Sequence, residues 1–140
     1  MTRLRAFSCL VGASGALVLA GCGVRFTPSC EIDVALPNGY RLVSISASRG
    51  CTAFIVNGRG STVVPAGAGW SVSEYAVSGE TIVGTILGKR SGQTAYFSLD
   101  TASGQELEFT TEDAWREHWA QTHTDEIPEL YPWDNQPPSP

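Results

Sequence analysis

Tyr96-Phe97-Ser98-Leu99-Asp100-Thr101-Ala102-Ser103-Gly104-Gln105-Glu106-Leu107, preceded by Ala95 and continued by Glu108-Phe109, is the stretch whose reading decides the fold. Ala95, Phe97 and Leu99 alternate with Tyr96 and Ser98, and Leu107 and Phe109 alternate with Glu106 and Glu108. A period of two puts every second side chain on one face of an extended chain, so each half reads as a β-strand with one buried face. The spacing predicts a hairpin in which Leu107 and Phe109 answer the apolar set of Ala95, Phe97 and Leu99. Asp100 to Gly104 joins the strands: the Asp carboxylate is an acceptor for turn amides, and Gly104 is free to take positive φ.

Working outward, the chain from Glu31 to Thr110 sustains no helical period over ten residues. It reads as short strands cut by turn residues. Glu31 to Leu36 ends at Pro37-Asn38-Gly39; Tyr40 to Ala47 ends at Ser48-Arg49-Gly50; Cys51 to Asn57 ends at Gly58-Arg59-Gly60; and Ser61 to Val64 stops at Pro65. Trp70 to Val77 and Thr81 to Leu87 pair across Ser78-Gly79-Glu80. The hairpin at Tyr96 is similar to one that recurs in β-propeller blades, but no internal repeat accompanies it and the same turn serves any hairpin.

After Phe109 the period changes. Thr110 with Asp113 resembles a capping box, and Ala114, Trp115, His118 and Trp119 share one helical face. One short helix over Asp113 to Gln121 is predicted, laid on the sheet by its tryptophans. His123 to Pro140 holds five of the eight prolines and is expected to be loosely ordered. The fold class is therefore mainly β (α+β): about six or seven short antiparallel strands in a meander or small sandwich, one carboxyl-terminal helix, and length enough for one core.

At the other end, Arg3 and Arg5 precede an apolar run, Ala6 to Ala20, too short to span a bilayer of about 30 Å. It closes on Leu19-Ala20-Gly21-Cys22, which resembles the lipobox of bacterial lipoproteins over residues 1–22 alone. The resemblance implies that residues 1–21 are a signal peptide and that the Cys22 thiol takes a diacylglycerol. A further long-chain acyl group such as palmitate would follow on the new amino terminus. Two or more acyl chains make a stable anchor where one does not. Gly23 stands where an inner-membrane retention signal would place Asp, which points to the outer membrane, facing the periplasm. The implied organisation is a signal at 1–21, a lipidated tether at 22–29, a β-rich domain at 30–121 and an acidic, proline-rich tail at 122–140. The competing reading is an ordinary secretory signal with a coincidental cysteine.

In that oxidising compartment Cys9 leaves with the signal and Cys22 carries lipid, so Cys30 and Cys51 remain to form one disulfide. A closed loop of about twenty residues is worth on the order of 3 kcal/mol. The tether Gly23 to Ser29 reaches roughly 25 Å fully extended, so a domain so anchored works close to the bilayer.

The whole chain has nine Lys plus Arg against fourteen Asp plus Glu; without Arg3 and Arg5 the balance is −7. From Asp100 to Pro140 ten carboxylates face Arg116 alone. Such a surface repels phosphate, which argues against nucleic acid and anionic membrane as ligands, and it attracts cationic proteins. A merely solvated acidic face is the plainer alternative.

Candidates for chemistry are sparse. His118, His123, Glu117, Asp125 and Glu126 are close in sequence, yet their spacing matches no metal motif and HExxH is absent. GxSxG is absent too, and the Gly-rich segments do not precede helices. No cofactor, metal or catalytic residue is expected. Trp115, Trp119, Tyr131 and Trp133 cluster late in the chain, where exposed rings would bind a sugar or a protein and buried ones would build the core. The expected function is a non-enzymatic envelope lipoprotein that binds a protein, in one version as an inhibitor or immunity module against a cationic wall-degrading enzyme. The alternatives are a structural accessory subunit of an envelope complex and a glycan-binding or hydrolytic domain.

Overall fold

The computed structural model describes residues 30–47 and 50–134; the lipobox, Cys22 and the tether lie outside the described residues. In chain order the elements are β1 (Asp33–Ala35), β2 (Arg41–Ala47), β3 (Gly50–Val56), β4 (Thr62–Val64), β5 (Trp70–Ser78), β6 (Thr81–Gly88), β7 (Thr94–Asp100), β8 (Gln105–Phe109), helix α1 (Glu112–Thr122) and β9 (Tyr131–Pro132). The first four strands form one antiparallel sheet in sequence order, and the second sheet has the order β8-β7-β6-β5-β9. The molecule is thus a small, mainly β sandwich with one helix. The described residues form nine strands against the expected six or seven; β1 and β4, three residues each, fall inside segments read as strands, and only the two-residue β9, too short to show a period, falls where a loose tail is expected.

Alternation puts Leu42, Ala53, Ile55 and Val64 of the first sheet against Val72, Tyr75, Ile82, Ile86, Ala95, Phe97 and Leu99 of the second. A bulge between Val72 and Glu74 resets the phase of β5, turning Tyr75 inward and Glu74 outward. Polar side chains also point inward: Ser44, 5 % exposed, accepts from the Ile32 amide at 3.0 Å and donates to the Cys30 carbonyl, and Ser71 accepts from the Ala53 amide at 2.9 Å. Cys30 and Cys51 form a disulfide with Cα atoms 5.5 Å apart, as expected from the cysteine count.

The second sheet is covered on both faces, so the expectation of one core is corrected to two. Ala76, Val83, Trp115 and Trp119 form a second apolar cluster on its outer face, flanked by Tyr96, Phe109, Ile127 and Leu130. The helix is capped one residue later than expected. Thr111, not Thr110, accepts the Ala114 amide at 3.3 Å, because Thr111 has the extended φ/ψ a cap requires and Glu112 already starts the first turn. Residues 123–134 are not a loose tail: the segment returns along the helix, and Tyr131 pairs with Tyr75 while Pro132 pairs with Glu74. Trp133 then packs on the inter-sheet core and donates its amide to the Ser73 carbonyl at 3.2 Å.

The hairpin that anchors the reading differs in one respect. Asp100 pairs with Gln105, which leaves a four-residue loop rather than five and moves the register by one. A shift of one flips every side chain of a strand to the other face. Leu107 and Phe109 therefore sit opposite Ser98 and Tyr96 on the helix side, and Glu106 and Glu108 sit opposite Leu99 and Phe97 on the inter-sheet side. The turn chemistry is as expected: Asp100 Oδ1 accepts the Ala102 and Ser103 amides at 3.0 and 3.4 Å, and Gly104 has φ 76°.

Candidate functional site

Register brings the two tight ends of the second sheet together, since Thr81 of β6 lies opposite Asp100 of β7. The last turn of α1 ends over the same region. His123 stacks flat on Trp119, with ring centroids 3.6 Å apart, and its Nε2 lies 3.3 Å from Thr81 Oγ1 while Nδ1 lies 2.8 Å from Thr122 Oγ1. Between helix end and sheet end is an open groove of about 530 Å³. Hydroxyls line it (Ser78, Thr81, Ser98, Thr122), together with Glu80, Asp100, Gln105, His118 and His123.

Two features of this lining carry chemistry. Hydrogen bonds from the Ser103 side chain and the Ala102 amide, with a smaller contribution from the nearby His123, hold the Asp100 carboxyl below its ordinary range, so it stays anionic. Ser98 is 6 % exposed, yet its Oγ has no hydrogen-bond partner among the described residues. Buried hydroxyls are normally paired, which marks this enclosed oxygen as an acceptor left unmet in the groove wall.

A second polar feature lies on the inter-sheet side of β8. Burial, the charge of Glu108 and a hydrogen bond to it push the Glu106 carboxyl up to about 7. Glu106 Oε1 is enclosed and, like Ser98 Oγ, finds no partner among the described residues, while Glu108 Oε1 accepts the Ala66 amide at 2.9 Å. An acid that keeps its proton to neutral pH suits proton transfer only where it meets a substrate. Here the enclosed Glu106 oxygen faces the sheet interior, while Glu108 is exposed and lines an open groove of about 500 Å³ beside Trp70, Ile86 and Phe109.

The aromatic candidates divide. Trp115 and Trp119 are each 2 % exposed, with indole N–H groups donating to the Phe97 carbonyl at 3.1 Å and the Asp125 carbonyl at 2.8 Å. Packing accounts for both, and neither presents a ring to a ligand. Tyr131 and Trp133 are half-buried in the β9 clasp. The suggested set of His118, His123, Glu117, Asp125 and Glu126 does not converge: His118 packs against Phe109, with centroids 5.2 Å apart, and no group of three such side chains with metal-binding geometry occurs among the described residues. No helix among the described residues is long and apolar enough to cross a membrane.

The groove itself was missed from sequence. Its one visible trace is that both histidines fall at the end of the predicted helix; the turns that meet them, at 78–81 and 100–105, belong to different strand pairs, and only register aligns them. Protein-family models, curated proteins and solved structures provide no match to this chain from which a family could be assigned.

Proposed function

We propose that this chain is a lipid-anchored envelope module, held through Cys22, that binds a cationic protein close to the membrane and performs no catalysis of its own. The observation that carries the reading is the placement of charge. Glu112, Asp113, Glu117, Asp125, Glu126, Glu129 and Asp134 are all exposed along α1 and the returning segment. The single cation of that stretch, Arg116, is held by Glu112 at 2.7 Å. A one-signed face of this kind steers an oppositely charged partner and excludes like-charged ones. Exposed Ile45, Val77 and Leu87 offer scattered apolar contact elsewhere on the surface. The glycan reading loses support, since the rings it would use at Trp115 and Trp119 are packed inside.

The test is binding of a cationic muramidase to the full chain in detergent, at low and at about physiological salt, with the Glu117→Lys/Glu126→Lys/Glu129→Lys variant beside the wild type. Affinity should fall about tenfold or more on charge reversal, and the salt dependence should weaken. Equal affinity in the two proteins would remove the proposal.

A further inference from the structure

The groove at the end of α1 combines two carboxylates with an acceptor that no described residue satisfies. Glu80 and Asp100 supply carboxylates, no Lys or Arg lines it, and the carboxyl end of a helix adds partial negative charge. In its wall the Ser98 oxygen is buried and has no partner among the described residues. An anionic ligand would meet the two carboxylates, and an apolar one would leave the hydroxyl as stranded as before. A cation that carries N–H donors satisfies both conditions, because it answers the charge and gives the oxygen a hydrogen. The volume, about 530 Å³, suits a group the size of one long side chain rather than a folded surface.

We infer that this groove receives the ammonium or guanidinium of a basic side chain that the cationic partner inserts. The inference rests on the charge-complementary reading above and gives that partner a defined point of attachment. Glu80 and Asp100 set the sign, and Ser98 gives the head group a directional contact. His123, fixed at both ring nitrogens by Thr81 and Thr122, forms a wall that is already in place.

The experiment uses Nα-acetyl-arginine methylamide and Nα-acetyl-lysine methylamide as probes. They are titrated into the full chain in micelles while backbone amide resonances are followed, with the norleucine and glutamate analogues as controls. The basic probes should bind with a Kd on the order of 1 mM and move the resonances of Thr81, Ser98 and Thr122. Ser98→Ala should weaken them about fivefold while leaving the thermal midpoint unchanged or higher, since the variant loses an unpaired hydroxyl. Glu80→Gln, on an exposed turn, should also weaken them and serves as the second variant. Equal binding of the norleucine probe, or undiminished binding to both variants, would overturn the inference. In a second arm, saturating arginine probe should weaken binding of the cationic muramidase. If the probe binds and muramidase binding is untouched, the groove serves free amines and the inference fails as stated. Failure of the acidic-face reading shows separately, as insensitivity to charge reversal on α1.

Discussion

Gly84 sits in the middle of β6 where the bulge of β5 brings backbone close. A Cβ there would lie 2.1 Å from the Glu74 carbonyl oxygen and 2.8 Å from Phe97 Cε1. Backbone cannot yield as a flexible side-chain tip does, so Gly84→Ala should cost about 3 kcal/mol, read as a lower denaturant midpoint with unchanged slope. Glu106 gives a prediction of a different kind. Its folded pKa, about 7, lies above the ordinary 4.5, so the folded protein holds this proton more tightly than the unfolded one. That contribution is complete below about pH 4.5 and is lost as pH rises through about 7. Discounted for partial solvent screening, the swing is on the order of 1–2 kcal/mol. Thermal unfolding at about pH 5 and about pH 8 should show the wild type losing more stability than Glu106→Gln across the interval; parallel losses would contradict this. Neither residue was marked in the sequence. Gly84 looked like one more small residue in a strand, and Glu106 looked outward until the loop length reversed its face.

At the scale of elements, strand positions were legible wherever alternation ran for five residues or more. The pairs β2–β3, β5–β6 and β7–β8 fall within a residue or two of the reading, because hydrophobic period and Gly-rich turns agree there. Phase was harder. The turn chemistry assigns Asp100 to the loop, but its pairing with Gln105 decides which way Leu107 and Glu106 point; side-chain pattern cannot separate these cases when both faces of a sheet are covered. The carboxyl-terminal clasp was illegible for the opposite reason. A two-residue strand has no period, and a segment rich in Pro and Glu reads as tail until Trp133 finds its place on the core. That clasp has a measurable worth: Trp133→Ala should cost about 2 kcal/mol, less than a fully buried tryptophan, by denaturant unfolding. No loss of stability would mean that β9 merely rests on β5.

For the whole molecule, the division of labour follows from having sheets in series: the first sheet and its disulfide at one side, the helix and its acidic face at the other. Replacing both Cys30 and Cys51 by Ser should lower stability by about 3 kcal/mol at a separation of 21 residues, checked by unfolding with and without reductant. Reductant should shift the wild type and leave the double variant where it is. The proposed anchor predicts that Cys22→Ala moves the protein from the membrane fraction to the soluble fraction of cells. If wild type and variant fractionate alike, the anchoring proposal is wrong while the folded domain stands.

The disulfide also decides how the molecule bears mechanical load. Cys30 precedes β1, and its bond to Cys51 joins the entry point of the chain directly to β3. Tension on the preceding segment therefore bypasses the three-residue β1 and enters β3, which is hydrogen-bonded to β2 on one side and β4 on the other. Without that bond the same pull would fall first on the three residue pairs that join β1 to β2; with it, β1 is bypassed. If the proposed anchor holds, a tug on it would thus reach a strand paired on both sides rather than a three-residue strand at the sheet edge.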